Sequence, residues 1–368
     1  MNRDEFIKIC GVFGLGIPLH VSAQQLIRKK NIQRDYKGKV LVIGAGAAGL
    51  STAYFLQQQG VEFEVLEASS SYGGRIRVNR EFADFDIPLG AEWIETQTKI
   101  FDEIVNDPSI NVDVKTVRDR PDYKFVNSSW IHFFETYITP SIKDSIRFNR
   151  IVQGIDYQKK NIHVHTKNKT YTADKVVVCV PLKILQAEQI EFTPLLPKTK
   201  TEVIKQAEIW SGFKAFFEFS KPFYQKDFVF DIQPKTDGEK LYYDATLGQQ
   251  TDRHVLGLFA VGKPAQDYIQ RKGDDLKGFM LNELDRIYGG QASKHYLKHL
   301  CQNWDDEPFI NGAYLSDYTD WKTVKILGEP VSKKLYFAGG AFTNGEDWVS
   351  VHTAAQSAKE AVHALIAQ

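Results

Sequence analysis

Hydrophobic positions fall into two periodicities along the chain. Val40, Leu41, Val42 and Ile43 form an uninterrupted apolar run, the pattern of a parallel strand buried on both faces. Leu50, Ala53 and Leu56 then recur on one helical face, Gly60 is placed to stop that helix, and residues 63–66 supply a second strand. Residues 174–181 read as another buried parallel strand, ended by Pro181. From Gly212 the pattern changes. Residues 212–224 alternate like a half-exposed strand after Lys214, and residues 228–259 hold further alternating, aromatic-rich segments broken at Lys235, Thr236, Asp237 and Gly238. Residues 276–288 predict an amphipathic helix and residues 333–338 a short strand. Val351, Ala354, Ala355, Ala358, Val362 and Leu365 give the last helix a packed face.

The turn between the first strand and the first helix adds chemistry to this pattern. Gly44, Gly46 and Gly49 match G-x-G-x-x-G, a spacing that permits a tight turn, close approach of backbone N–H groups to a pyrophosphate, and close helix–strand packing. Glu67 follows at the end of the second strand, eighteen residues after Gly49, where a carboxylate can bind a ribose diol. Strand, helix, second strand and acid occur in register, which favours a dinucleotide site over an ordinary βαβ unit. The acid favours FAD or NAD over NADP. Further on, Gly73, Gly74 and Arg75 end a small, flexible stretch, where Arg75 offers a diphosphate a charge-assisted bond; the alternative is a solvated turn.

Composition narrows the class without naming the chemistry. At 368 residues the chain has room for two domains or one elaborated domain. Its 46 basic and 46 acidic residues cancel, so no whole-chain field points to nucleic acid or an anionic membrane. Cys10, Cys179 and Cys301 are far apart and lack metal-ligand spacing, so no metal site and no disulfide framework is expected. Arg3 and Lys8 precede a short apolar run at 11–19, and Val21, Ser22 and Ala23 resemble a cleavage site, so residues 1–23 read as an export signal or as an N-terminal arm. The frame resembles a twin-arginine signal with Asp4 where the second arginine belongs, which suggests a periplasmic destination, or a cytoplasmic one if the signal is inactive. The apolar run is too short to span a bilayer. Residues 24–38 are polar enough to be a linker.

Taken with these motifs, the chain resembles the FAD-dependent amine oxidase family, which holds monoamine, polyamine and L-amino-acid oxidases. The resemblance implies that Gly44, Gly46, Ala48, Gly49, Glu67 and Ala68 hold the ADP part of FAD, with Gly74 and Arg75 following. Residues 89–95 (LGAEWIE) are similar to the segment that runs beside the flavin in polyamine oxidases, so Gly90, Ala91, Glu92 and Trp93 are expected along the cofactor, with Glu95 facing the substrate. Val152 is similar to the residue on the adenine side, and Val180 lies where the chain returns to the FAD domain. Lys214 stands where the family's lysine holds a water near the reactive ring nitrogen. By itself Lys214 would be a solvated strand-end charge. Trp304, Pro308, Gly312, Ala313 and Tyr314 match a "W…P…G-x-Y" signature that passes over the flavin, and Tyr314 and Trp348 fall at or near the aromatic cage for the amine. Gly339, Gly340 and Val349 complete the cofactor set.

The expected fold is therefore α/β: a doubly wound, Rossmann-type FAD domain from residues 39–95, 146–203 and 304–368, interleaved with an α+β substrate domain from 96–145 and 204–303 built on an antiparallel sheet. The expected reaction oxidises an amine to an imine, with dioxygen as acceptor and hydrogen peroxide as product. Relatives with covalent flavin carry a cysteine before the cage tyrosine, whereas Ala313 stands here, so the FAD is expected to be noncovalent. Three departures from the family pattern leave other readings open. Only about fifty residues lie between 96 and 145, where the family carries a long helical insertion, so a second copy of the chain or a partner is expected to cover the shortened substrate domain. Gly340 replaces an acid, and Val351 replaces the second cage aromatic. The alternatives are a flavin desaturase or dehydrogenase acting on a carbon–carbon bond, and a flavin-binding interaction protein without turnover. Trp93 stands where L-amino-acid oxidases place the arginine that pairs with a substrate carboxylate, so the resemblance favours amines without one. The competing reading of Glu95 is a surface i,i+4 pair with Lys99.

Overall fold

The computed structural model describes residues 36–117, 122–225, 229–231 and 237–367. The export-like segment at 1–23, Cys10 and most of the linker lie outside the described residues. Strand β1 (Lys39–Ile43) leads into α1 (Ala47–Gln58) and β2 (Glu62–Leu66). There follow α2 (Ile100–Val105), β3 (Tyr123–Phe125), α3 (Trp130–Tyr137), β4 (Ile146–Arg147), β5 (Val152–Asp156) and β6 (Lys175–Val178). The next group is β7 (Gly212–Phe219), β8 (Val229–Asp231), β9 (Gly238–Asp244), β10 (His254–Gly262), α4 (Gly273–Tyr288) and β11 (Tyr296–Asn303). The chain closes with β12 (Leu335–Phe337) and α5 (Val351–Ile366).

Five of these strands make a parallel sheet in the order β12-β6-β1-β2-β4. Its centre, β1, is buried because both faces of the sheet are covered: Val40 and Val42 face the helices α1 and α5, while Leu41 and Ile43 share a core with Val152, Ile155, Ile162, Val164 and Tyr171 of a separate four-stranded sheet. Helix α1 stops as its glycine requires: Gly60 adopts φ +67° and donates its N–H to Gln57 O, and Val61 N–H closes on Leu56 O. Helices α1 and α5 pack together on one face, where Leu50, Ala53, Leu56, Ala358, Val362 and Leu365 share a core. The order of strands means that the chain runs from β1 to β2 on one side and reaches β6 on the other. Ligands of open α/β sheets bind at the carboxyl ends of the strands where the order reverses in this way.

A second sheet is antiparallel, in the order β8-β9-β10-β7-β11. It belongs to the same compact unit as the parallel sheet. Strand β7 differs from the expectation of a half-exposed strand: every residue from Gly212 to Phe219 is buried. It lies between β10 and β11, with Phe213, Phe217 and Phe219 packed under α4 and Phe216 in a cluster on the opposite face. Its polar residues are paired. Glu218 meets Arg253 at 2.7 Å and Lys298 at 3.3 Å.

The region 96–145 also differs from expectation. Phe101, Ile104, Trp130, Phe133 and Phe134 enter the same core as β1, α1 and α5. The shortened insertion thus buttresses the parallel sheet, and its apolar side chains explain why: α2 and α3 present aromatic faces that the antiparallel sheet does not need. Contact with the other half comes from β3 and the turn after it: Lys124 donates to Ala245 O, Phe125 O accepts from Gln249, and Asn127 bonds to Gly248 and Gln250. Residues 146–156 divide at the bend around Asn149 (φ +56°) into β4 in the parallel sheet and β5 in a separate four-stranded sheet.

Candidate active site

The carboxyl ends of β1, β2, β6 and β12 open onto one cavity of about 560 Å³, a size suited to a cofactor or small ligand. Gly44 adopts φ +100° and an added Cβ would lie 2.9 Å from Cys179 O, so the turn admits only glycine there. Gly46 is the N-cap of α1 and has no side chain to satisfy the helix's first N–H groups; no acid occupies the first turn. Those N–H groups and the helix dipole suit a bound anion. Gly46, Ala47 and Ala48 line the cavity. Gly49 does not line it; an added Cβ would be 1.9 Å from Gly44 O, so its glycine serves helix–turn contact.

Glu67 lies beneath this turn. Its carboxylate accepts from the N–H of Ala45 at 2.6 Å and from the N–H and hydroxyl of Ser69 at 2.9 and 2.6 Å. Those bonds fix its orientation and leave acceptor capacity for a diol. Gly73 (φ +109°) donates its N–H to Ala45 O, which brings the Gly73-Gly74-Arg75 stretch over the turn. Arg75 then runs along the cavity and donates to Ala313 O. Burial brings its guanidinium down to about 10. A guanidinium held in an enclosed cavity mainly by one carbonyl fits an anionic ligand.

The segment 88–95 crosses this floor. An added Cβ on Gly90 would be 2.0 Å from Arg75 O, and Ala91 donates its N–H to that same carbonyl at 2.9 Å. Trp304 donates from Nε1 to Leu89 O at 2.9 Å, which pins the 304–314 segment against it. Trp93 packs edge-on to Tyr243, with centroids 4.8 Å apart. Ala68, Gly74, Ala91, Trp93, Val152 and Val180 all line the cavity. So do Gly339, Gly340 and Val349. Gly340 closes against Val349, whose N–H donates to Gly340 O at 3.0 Å, and an added Cβ would lie 3.2 Å from the Val349 carbonyl. Val349 itself adopts φ +91°, a strained conformation for a β-branched residue. A side chain at position 340 would require the Val349 backbone to give by a few tenths of an ångström.

Lys214 is the residue whose surroundings differ most from a solvated charge. It is 2% exposed, and its ammonium donates to Pro88 O at 2.9 Å, Gly90 O at 3.1 Å and Glu92 Oε2 at 2.6 Å. Burial lowers its pKa, Glu92 opposes that shift, and Lys124 adds to it. Glu92 lines the cavity, and its carboxylate is held by protein partners. It meets Lys214, Lys124 Nζ at 2.8 Å and the hydroxyl of Tyr243. Burial alone would raise its pKa; Lys124 and Lys214 outweigh that and hold it at about 2. Sequence reasoning missed Lys124 and Tyr243. Neither lies in a motif, and both reach Glu92 only through long-range strand placement.

Tyr314, Trp348 and Glu95 line the same cavity as Lys214 and the glycine turn. Tyr314 is held by backbone pairing, its O accepting from Trp210 N–H at 2.9 Å, with its ring 5.9 Å from the Trp210 ring. Trp348 packs against the core beneath β6 and β12. Glu95 is exposed and precedes α2, so it shares no helix turn with Lys99, which reaches Glu103 at 4.0 Å. Asp122, Glu239 and Asp317 line the cavity as well. Among the described residues no group of His, Cys, Asp and Glu is arranged to hold a metal ion, and no helix is long and apolar enough to cross a membrane.

A doubly wound sheet with a dinucleotide turn, opening into a cavity shared with an antiparallel-sheet domain, defines a flavoprotein oxidoreductase architecture. Residues 134–366 match the family described as flavin containing amine oxidoreductase, and residues 42–106 match an NAD(P)-binding Rossmann-like domain. The chain belongs to the flavin-containing amine oxidoreductase family: it is an FAD-dependent amine oxidase, and FAD is its cofactor. It is 22% identical over 440 residues to a probable polyamine oxidase 4 of Arabidopsis thaliana, covering 90% of this chain and 86% of that one. To the L-amino-acid oxidase of Vipera ammodytes ammodytes it is 22% identical, covering 84% and 89%. A lysine-specific histone demethylase 1 homolog 3 of Arabidopsis thaliana is 29% identical over 212 residues, which span 53% of this chain but only 13% of that protein. Among solved structures, a triple mutant of putrescine oxidase superposes with a TM-score of 0.73 at 13% identity, covering 90% of this chain and 99% of that one.

The cavity carries no cysteine beside Tyr314. Cys179 lines it near the Gly44 turn, but burial pushes its thiol up to about 12, which suppresses thiolate chemistry. Acid precipitation is therefore expected to release the flavin into the supernatant. Yellow colour retained in the washed pellet would contradict noncovalent binding.

Proposed function

We propose that the chain oxidises a cationic amine lacking a carboxylate, with a diamine or polyamine favoured over a monoamine or an amino acid. The observation that carries this reading is the single cavity that joins the glycine turn to Lys214, Tyr314, Trp348 and Glu95. FAD, when bound, would supply the hydride-accepting chemistry that converts a neutral amine to an imine, with dioxygen as the final acceptor and hydrogen peroxide as the product. Gly44, Gly46, the N-terminus of α1 and Glu67 hold the ADP end, Arg75 meets the diphosphate, and the segment 88–95 supports the flavin. Tyr314 and Trp348 provide aromatic walls that exclude water and orient the substrate. Glu95, Asp122 and Glu239 supply carboxylates from three segments to a distal ammonium. Trp93 offers one N–H donor where a substrate carboxylate would need a bidentate guanidinium, which counts against amino acids.

The Glu95→Gln variant tests this specificity. Diamine kcat/KM is expected to fall by roughly 10-fold or more, the equivalent of one charge-assisted contact, with a much smaller change for a monoamine. Equal losses on both, or preferential oxidation of amino acids by the wild type, would overturn the assignment.

A further inference from the structure

Lys214 and Lys124 share one carboxylate in a place that solvent does not reach. Lys214, Lys124 and Glu92 are 2%, 3% and 4% exposed. Lys214 lies on β7, Lys124 on β3, Glu92 in the 88–95 segment and Tyr243 on β9, so four separate elements converge. Glu92 takes Lys214 on Oε2 and Lys124 on Oε1. The Tyr243 hydroxyl donates to Glu92 and stays protonated, because burial and the carboxylate both raise its pKa. Lys124 also donates to Ala245 O at 3.2 Å and sits 5.5 Å above the Trp93 and Tyr243 rings. Two ammonium groups and one carboxylate leave a surplus positive charge.

Such a charge is costly to bury, and a simple Lys214–Glu92 pair would avoid it. Gly90, Glu92, Trp93 and Lys214 form part of the cavity wall, so the surplus acts on whatever the cavity holds. Arg75 and Asp122 line the same cavity and enter the same field.

We propose that Lys124 is a positioning residue that turns the Lys214–Glu92 pair into a net-cationic cluster, which favours negative charge in the cavity and thereby raises the reduction potential of the bound flavin. This rests on FAD occupying the cavity. FAD per chain is measured first, so failure of that reading shows as missing flavin before any potential is read.

The experiment compares holoenzyme carrying Lys124→Met, Lys124→Arg or Lys124→Gln with wild type, by dye-equilibrated reduction and by titration with inorganic sulfite, an anion that adds to oxidised flavins. Lys124→Met is expected to weaken sulfite binding about tenfold and to shift the two-electron equilibrium by a similar factor toward the oxidised form, about 30 mV. Lys124→Arg keeps the charge and the wild-type values. Lys124→Gln removes the same charge with a polar side chain and is expected to shift both values in the same direction as Lys124→Met, which keeps the proposal testable if Lys124→Met fails to fold. A Lys124→Met or Lys124→Gln holoenzyme with wild-type potential and sulfite affinity overturns the proposal.

Discussion

Gly49→Ala is expected to yield a chain that purifies without flavin. The added methyl would lie 1.9 Å from Gly44 O, and the obstacle is the backbone of the turn itself rather than a side chain that could rotate away. Overpacking of this kind costs about 1–3 kcal/mol when neighbours can give. Here the neighbour is the loop that must approach a pyrophosphate, so relief of the clash displaces the binding turn. Gly46→Ala is the informative companion, because the nearest atom to its added Cβ is 4.0 Å away. That variant is expected to keep the thermal midpoint of the flavin-free wild type while losing FAD affinity, since the methyl projects where the cofactor must come close. Flavin content per chain and thermal melting of both variants are the measurements. A full complement of FAD in Gly49→Ala would contradict the assignment of this turn.

Lys214→Met is expected to lower both stability and turnover. The sulfur side chain keeps much of the stem's volume but removes the ammonium that reaches Pro88 O, Gly90 O and Glu92 Oε2 together. Breaking a buried ion pair from one side costs about 3–5 kcal/mol, toward the low end here because Glu92 keeps Lys124. The loosened 88–95 segment lines the cavity proposed to hold the flavin, so a decrease in turnover of roughly 10- to 1000-fold is expected, the range of a positioned polar group. Melting with FAD in excess separates the two effects. Unchanged turnover at saturating amine, with an unchanged melting midpoint, would assign Lys214 no part in either.

The parts of this molecule that were legible in its sequence are those fixed by local pattern. Residues 40–67 carry strand periodicity, three glycines and an acid within one βαβ unit, and each glycine's need is met within a few residues or at the adjacent strand end. The last helix was legible for the same reason, since its small residues repeat with helical period and pack on α1. What escaped was set by distant partners. Alternation in β7 reads as one wet face, but α4 and a second aromatic cluster cover both sides, and Lys214 and Glu218 are buried with partners from other strands. Lys124 resembles any strand-borne lysine until β3 is laid against Glu92. Residues 100–142 look like the remnant of a substrate-domain insertion, and only the packing of Phe101, Trp130 and Phe133 shows that they support the FAD sheet. Gly340 looks like a lost cofactor contact; the backbone of Val349 at φ +91° shows what fills its place.

Flavin and amine are expected to meet in the one cavity at the carboxyl ends of the parallel strands. The direct measurement is the absorbance spectrum of the purified chain, followed anaerobically while a diamine, a monoamine and an amino acid are added in turn. The expected result is an oxidised FAD spectrum that bleaches with the diamine at the lowest concentration and recovers when air is admitted, with hydrogen peroxide released. A flavin that is bound but stays oxidised through the whole panel would contradict it.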